Sequence, residues 1–328
     1  MNFLVTGAAG YIGSHFTAKI LQGNNPVIGI DNFSNSSIDQ IQILKKIHDK
    51  NFKFFQCDIL DLKSLDEVFK SNKIDVVVHF AALKSVPESF KKSEEYFLNN
   101  VVGTRNLLNA MRKGNVRNII FSSSAAVYGN SSTQPLCEST KLSPESVYGE
   151  TKKICEESII SETMHNDIKA IILRYFNPVG FNKAVYNFSD RIFLNESLIS
   201  NILAVVNGKK HILEIYGGDF NTPDGTPQRD FIHINDLVKS HEISISYLDG
   251  IENYEIFNVG TGNPVSVMEF ITKFSKINNV DVPYRIINRR KGDSETSYTS
   301  CKKILNKLSF QTNETLDSMC ADSLVNFN

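Results

Sequence analysis

Tyr148 and Lys152 stand four residues apart in Tyr148-Gly-Glu-Thr-Lys152, which places a phenol and an ammonium on one face of any helix that includes both. A free tyrosine titrates near pH ~10 and a neighbouring positive charge favours its phenolate, so the pair offers a general base near neutral pH. Upstream, Ser122-Ser-Ser124 closes a short apolar run. A hydroxyl at Ser124 can hydrogen-bond a substrate oxygen and share its proton. Each residue alone has an ordinary alternative: Tyr148 as a half-buried aromatic, Lys152 as a solvated cation, Ser124 as a turn or cap.

A second constellation lies at the N-terminus. Gly7-Ala-Ala-Gly10-Tyr-Ile-Gly13 directly follows the apolar run Asn2–Thr6 and opens a helical segment. Glycine lets the backbone turn tightly and approach a pyrophosphate, whose charge then sits at the N-terminal end of the helix dipole. The next apolar run, Val27–Ile30, ends at Asp31, 18 residues after Gly13. An acid there accepts hydrogen bonds from ribose hydroxyls and repels a 2′-phosphate, so the expected cofactor is NAD rather than NADP. Its nicotinamide cation would add to the positive charge beside Tyr148. Asp58, at the end of the third apolar run, keeps two readings: a contact to the adenine edge, or an N-cap for the segment after Ile59.

These groups need strands and helices in alternation to position them, and the first half of the chain supplies that pattern. The runs Asn2–Thr6, Val27–Ile30, Lys53–Gln56, Asp75–His79, Arg117–Ser122 and Ala170–Arg174 predict six parallel strands. Ser93–Lys113 and Val147–Met164 carry apolar residues close to helical spacing. The expected class is α/β, a doubly wound parallel Rossmann sheet that binds ligands at its carboxyl edge. After Asn177, prolines and glycines break the rhythm. A smaller, discontinuous C-terminal substrate-binding lobe is expected there, with 1–177 as the NAD-binding domain and 178–328 mainly as the lobe. Asp230–His233 and Glu255–Val259 read as strands that rejoin the sheet.

The 328 residues are 41% hydrophobic and 22% charged, and 35 basic against 36 acidic side chains give a formal net charge of -1. That balance advertises neither a nucleic-acid nor a membrane surface, and no run approaches the ~18 apolar residues of a membrane span. Five cysteines without Cys-x-x-Cys spacing suggest neither a disulfide framework nor a zinc site. No metal is expected. A chain that opens without a basic, apolar leader reads as soluble and cytoplasmic.

Seven stretches carry a family resemblance: Val5-Thr-Gly-Ala-Ala-Gly-Tyr-Ile-Gly-Ser-His15, Asp31-Asn-Phe-Ser-Asn35, His79-Phe-Ala-Ala-Leu-Lys84, Asn100-Val-Val-Gly-Thr104, Phe121-Ser-Ser-Ser-Ala125, Arg174-Tyr-Phe-Asn-Pro-Val-Gly180 and Arg229-Asp-Phe-Ile-His233. They span almost the whole chain. The sequence resembles the extended short-chain dehydrogenase/reductase family and, within it, the UDP-galactose 4-epimerases, which act on UDP-hexoses and UDP-N-acetylhexosamines. The resemblance implies that Tyr148 takes the proton of the sugar 4-hydroxyl while C4 gives hydride to NAD. The 4-keto sugar then turns over, and hydride returns to its other face. Ser124 would polarise the 4-oxygen, and Lys152 would hold the nicotinamide ribose and lower the tyrosine pKa.

The same resemblance extends the cofactor site around the glycines to Tyr11 and Ile12, and beyond Asp31 to Asn32, Asn35, Ser36 and Ile59. Phe80, Ala81, Lys84, Asn99, Ser122 and Phe176 complete that set. Asn177 and Arg229 would hold the diphosphate, a guanidinium fork being matched to phosphate oxygens, and Arg290 and Asp293 would surround the uridine. Leu198 and Tyr216 join Lys84 as further substrate contacts. Four positions after Asp293, where relatives restricted to glucose and galactose tend to carry tyrosine near the C2 substituent, this chain has Ser297, followed by Tyr298. That implies room for an N-acetyl group, unless the loop shifts by one residue and Tyr298 fills the space. The chain departs from the family after Gly180, where Phe181–Asn195 leads to Glu196-Ser-Leu198 in place of an Asn-Asn-Leu segment. A homodimer in which Ser93–Lys113 and Val147–Met164 form a four-helix bundle is a further implication.

Other readings stay open. Sugar-nucleotide 4,6-dehydratases share the glycine turn and Tyr-x-x-x-Lys, but usually carry an Asp-Glu pair where this chain has Ala125 and Ala126. Methyl groups move no protons. A net NAD-dependent oxidoreductase would change NADH in proportion to its sugar nucleotide. A non-enzymatic NAD sensor would need the glycines and Asp31 but not Ser124, Tyr148 and Lys152.

Overall fold

The computed structural model describes residues 1–186, 197–290 and 292–324. Its central sheet has seven strands in the spatial order Tyr254–Val259, Lys169–Tyr175, Asn118–Ser124, Val76–His79, Phe3–Thr6, Val27–Asp31 and Phe52–Gln56. All neighbours run parallel. The six expected strands form with ends shifted by no more than two residues, and the segment expected at Glu255–Val259 joins as the seventh.

A strand sends alternate side chains to opposite faces, so a sheet covered on both faces needs unbroken apolar runs. Phe3, Val5, Val76 and Val78 pack on one face and Leu4, Val77, Ile119 and Ile172 on the other. Helices Tyr11–Gln22 and Ile234–Tyr247 cover the first face, and Leu62–Ser71, Gly103–Lys113 and Val147–His165 the second. The segment expected as one helix over Ser93–Lys113 contains a π turn at Phe97–Val102. Val147–His165 starts where Ser146 accepts the Gly149 amide at 3.0 Å, a side-chain cap directly ahead of the turns that carry Tyr148 and Lys152.

Asp230–His233 does not rejoin the central sheet. The strand Gln228–His233 pairs instead with Asn177–Val179, Pro264–Ser266 and Thr296–Ser297. The buried Asp230 carboxylate explains its place: it accepts the amides of Thr261 at 2.7 Å, Gly262 at 2.9 Å and Thr299 at 3.2 Å. The loop leaving Tyr254–Val259 therefore grips this strand at the seam between the two sheets. Val179, Ile202, Leu203, Phe231, Phe270 and Phe274 form the core of the second layer. No helix among the described residues is long and apolar enough to cross a membrane.

Candidate active site

The carboxyl ends of the central strands face the second layer across a cleft of about 1010 Å³. The glycine turn forms one end of it. Gly7 sits at φ 69°, and a Cβ there would stand 2.9 Å from the Ala81 nitrogen; a Cβ on Gly13 would fall 2.1 Å from the Gly7 carbonyl oxygen. A helix leaves its first amides unpaired, and Gly10 brings no side chain to cap those of Tyr11–Gln22. Asp31 closes the next strand, its carboxylate accepting the Ala9 amide at 3.0 Å, the Phe33 amide at 2.9 Å and the Ser36 hydroxyl at 2.8 Å. An ionised carboxylate has about four acceptor positions, so one is left for a ribose hydroxyl. A tight turn that no side chain obstructs, an uncapped helix end and a strand-end acid fit a dinucleotide.

Tyr148 and Lys152 open the helix Val147–His165 beside the strand end at Ser124. The Ser124 hydroxyl accepts the Ala126 amide at 3.2 Å and shares a hydrogen bond with the Tyr148 phenol. Lys152 Nζ donates to the Ser122 carbonyl at 2.7 Å and lies 4.7 Å from the centre of the Phe121 ring. Burial pushes Tyr148 up to about 12 against the opposing bond from Ser124, with a further upward push from Cys155. Burial also pulls Lys152 down to about 8, opposed by Cys155 and Glu156. The expected stabilisation of the phenolate calls on this ammonium and a nicotinamide cation together, and of the two the chain itself supplies the ammonium. It gives one of its donors to a main-chain carbonyl, and desolvation dominates both groups.

Two arrangements under this floor were not legible in the sequence. Tyr175 donates its hydroxyl to His241, whose other ring nitrogen lies 2.8 Å from the Leu237 carbonyl. His79 sits between the hydroxyls of Thr6 at 2.7 Å and Thr104 at 2.9 Å. Thr104 spends its proton on the Asn100 carbonyl at 2.5 Å, so it accepts from His79 Nε2, and Thr6 donates to Nδ1. The ring is thereby held neutral, in the Nε2–H tautomer.

At the opposite end, Arg229 donates to the carbonyls of Gln228 at 2.8 Å and Ser294 at 2.9 Å, with Nη2 3.9 Å from Asp293. Burial pulls its guanidinium below the ordinary value, and Asp293 opposes that. Arg290 Nε donates to Asp293 at 2.9 Å and stacks 4.4 Å over the Tyr216 ring. Leu198 opens the helix Leu198–Val206 at the cleft wall, with Ser197 capping it by accepting the Ser200 amide at 3.2 Å. Ser297 lines the cleft beside its strand partner Arg229. Tyr298 does not line it: its amide donates to Gln134 at 3.2 Å and its carbonyl accepts the Leu136 amide at 2.8 Å.

All the other expected site residues line this one cleft, and two do not: Asp58 and Tyr216. Asp58 accepts from the Asn32 amide group at 2.9 Å and the Leu60 amide at 2.8 Å, so it holds a wall residue from behind. Nor does it cap the following helix, whose cap is Asp61, accepting Lys63 and Ser64 amides. Tyr216 stands behind Arg290 as its stacking partner. Of the departure after Gly180, residues 187–196 lie outside the described residues. Tyr186, which sequence reasoning missed, stacks on His15 with ring centres 5.2 Å apart and lines the cleft.

Fold and cleft define the class: a Rossmann-type enzyme that binds a dinucleotide at one end of its sheet edge and a second ligand at the other. Residues 3–260 match the model of the NAD dependent epimerase/dehydratase family. A curated UDP-glucose 4-epimerase from Dictyostelium discoideum is 40% identical over 98% of this chain and 94% of its own length. The crystal structure of UDP-glucose-4-epimerase from Stenotrophomonas maltophila, with bound NAD and formylated UDP-arabinopyranose, superposes with a TM-score of 0.93 at 35% identity, covering 98% of this chain and 96% of that one. The UDP-Glc/GlcNAc 4-epimerase from Campylobacter jejuni is 34% identical with a TM-score of 0.85, covering 98% and 97%. The chain belongs to the NAD dependent epimerase/dehydratase family.

Proposed function

We infer that this chain is an NAD-dependent UDP-sugar 4-epimerase that interconverts UDP-glucose and UDP-galactose. The observation that carries the reading is the opening of Ser124, Tyr148 and Lys152 into the same cleft as the glycine turn and Asp31. Held by the glycine turn and Asp31, NAD would supply the acceptor and donor of the C4 hydride and the positive charge of its oxidised ring. Tyr148 Oη removes the proton of the 4-hydroxyl, and the Ser124 hydroxyl holds the same oxygen. The 4-keto sugar turns over in the pocket, and as hydride returns to C4 Tyr148 gives its proton to the 4-oxygen, forming the alcohol of inverted configuration. Arg229 has spent both Nη1 protons on carbonyls, which leaves its Nε and Nη2 donors for the diphosphate. Ala125 and Ala126, beside the acid–base set, bring no group that eliminates water.

The reading divides the chain at 177, with 178–328 mainly the UDP-sugar lobe. Packing of Ile234–Tyr247 and Tyr254–Val259 on the central sheet supports returning them to the NAD domain. It further includes 4-epimerisation of UDP-N-acetylglucosamine and UDP-N-acetylgalactosamine, supported by Ser297 at the wall, where Tyr298 does not join the lining and gives its main-chain amide to Gln134, and by the named substrates of the Campylobacter jejuni relative. A cytoplasmic homodimer completes it, supported by Phe97 and Leu98, which stand 42% and 43% exposed on the helix expected to pair. The test is purified protein incubated with UDP-galactose and the products resolved by chromatography. UDP-glucose is the expected product, and its absence would overturn the function.

A further inference from the structure

Behind the acid–base set lies a buried ion pair that neither the cofactor nor the substrate site uses. Glu156 follows Lys152 by one turn on Val147–His165, and Arg174 reaches it from the strand Lys169–Tyr175. Arg174 Nε donates to Glu156 Oε1 at 3.0 Å and Nη2 to Oε2 at 2.6 Å, with the side chains 3% and 2% exposed. Ser123, the residue before Ser124, donates its hydroxyl to the same Glu156 oxygen. One carboxylate thus grips both the strand that ends in Ser124 and the helix that carries Lys152.

The network runs on from there. Arg174 Nη1 donates to the Tyr128 hydroxyl at 2.8 Å, and Tyr128 donates to Asn258 Oδ1 at 2.6 Å. Asn258 Nδ2 donates to the Leu136 carbonyl at 3.2 Å. Leu136 is itself bonded on both sides to the segment after Ser297, its amide to the Tyr298 carbonyl at 2.8 Å and its carbonyl to the Ser300 amide at 3.0 Å. A chain of directional bonds therefore joins the catalytic helix to the segment that bears the substrate-pocket serine.

Two well-packed apolar side chains would hold these elements together at least as firmly, because a buried ion pair must overcome the desolvation of both charges. What apolar contact lacks is direction: a bidentate guanidinium–carboxylate pair sets distance and rotation together. We propose that Glu156 and Arg174 are positioning residues for the reaction, fixing Ser124 against Tyr148 and Lys152 and tying that placement to the segment of Ser297. The proposal rests on the epimerase reading above, and its function is separable from stability.

The experiment compares wild type with Glu156→Gln, Tyr128→Phe and the apolar double variant Glu156→Leu/Arg174→Met. Thermal midpoint, NAD affinity by calorimetry, and kcat and KM for UDP-galactose are measured for each. Wild-type turnover is read first and bears on the function alone; the ratios to it bear on positioning. A shift of ~1 Å in a reacting group can cost ~100-fold in rate. On that scale the double variant should keep its melting midpoint, with NAD affinity and KM within ~3-fold, yet lose at least ~30-fold in kcat. Tyr128→Phe, which keeps the ring, should show a smaller loss confined to kcat and decides the matter if the double variant does not fold; Glu156→Gln leaves the Arg174 charge unpaired, so its midpoint should fall as well, with NAD affinity and KM held. Any folded Glu156 variant with kcat within ~3-fold of wild type, or a loss in which midpoint, NAD affinity and KM fall in step with kcat, would overturn the proposal.

Discussion

Burial holds the Tyr148 phenol near 12 and the Lys152 ammonium near 8, so the chain's own field keeps the base protonated at neutral pH. On the proposed reading, proton abstraction by Tyr148 would draw on the positive charge that NAD supplies when bound. Tyr148→Phe removes the proton acceptor while leaving the ring, and should reduce kcat by at least ~100-fold with NAD affinity and melting temperature nearly unchanged. Turnover within a few-fold of wild type would remove Tyr148 from the mechanism. At this scale the sequence was informative wherever a residue acts through its immediate neighbours. Gly7, Gly10, Gly13 and Asp31 were legible because a turn, a helix end and a strand end are local. Asp58 and Tyr216 fall outside the cleft lining, and only the folded chain shows Asp58 bonded to Asn32 and Tyr216 stacked against Arg290. The pairing of Tyr175 with His241 joins two elements remote in sequence, and no spacing rule announces it.

Strands and helices decide which side of the chain meets the substrate. In the strand Thr296–Ser297, pairing with Gln228–Arg229 fixes the register, and a shift by one residue would exchange the faces on which Ser297 and Tyr298 lie. In that register Ser297 lines the cleft and Tyr298 does not. Ser297→Tyr should therefore lower turnover of UDP-N-acetylgalactosamine by ~10- to 100-fold or more while keeping that of UDP-galactose within a few-fold, because a pocket filled by the new ring takes in an acetyl group only at a strain of ~1–3 kcal/mol or more. Measuring both sugars with both proteins checks this. A wild type that processes UDP-galactose but neither acetylated sugar contradicts the small-residue gate. The six central strands were readable from apolar runs, whereas Asp230–His233 was expected in the central sheet and pairs in the second one. Its own residues look like any strand, and the Thr261, Gly262 and Thr299 amides that claim Asp230 come from distant segments.

For the whole molecule, three buried histidines link folding to acid. Burial lowers His79 to about 3 and His15 and His241 to about 4, with Lys152 adding to the effect at His79. Their ordinary value is 6.5, so as pH falls from there toward 4 the unfolded chain binds protons that the folded chain refuses, and stability is lost across that window. Each histidine contributes at most ~1.4 kcal/mol per pH unit. Urea unfolding should give a clearly lower stability at pH 5 than at pH 7, with a shallower decline in His79→Gln; equal stability at the two values would contradict the assignment of neutral buried rings. The exposed Phe97 and Leu98 bear on assembly. Light scattering at micromolar concentration should give a dimer mass, converted toward monomer by Phe97→Asp/Leu98→Asp, and a monomeric wild type would count against the bundle.

The central claim is that C4 of a UDP-hexose gives up hydride and takes the same one back. The most direct measurement incubates the protein and NAD with UDP-galactose deuterated at C4 and follows product and isotope by NMR and mass spectrometry, with NADH absorbance recorded alongside. The account predicts UDP-glucose that retains the deuterium at C4, without stoichiometric NADH. Loss of the label to solvent, accumulation of NADH in proportion to sugar, or an absence of UDP-glucose would contradict it.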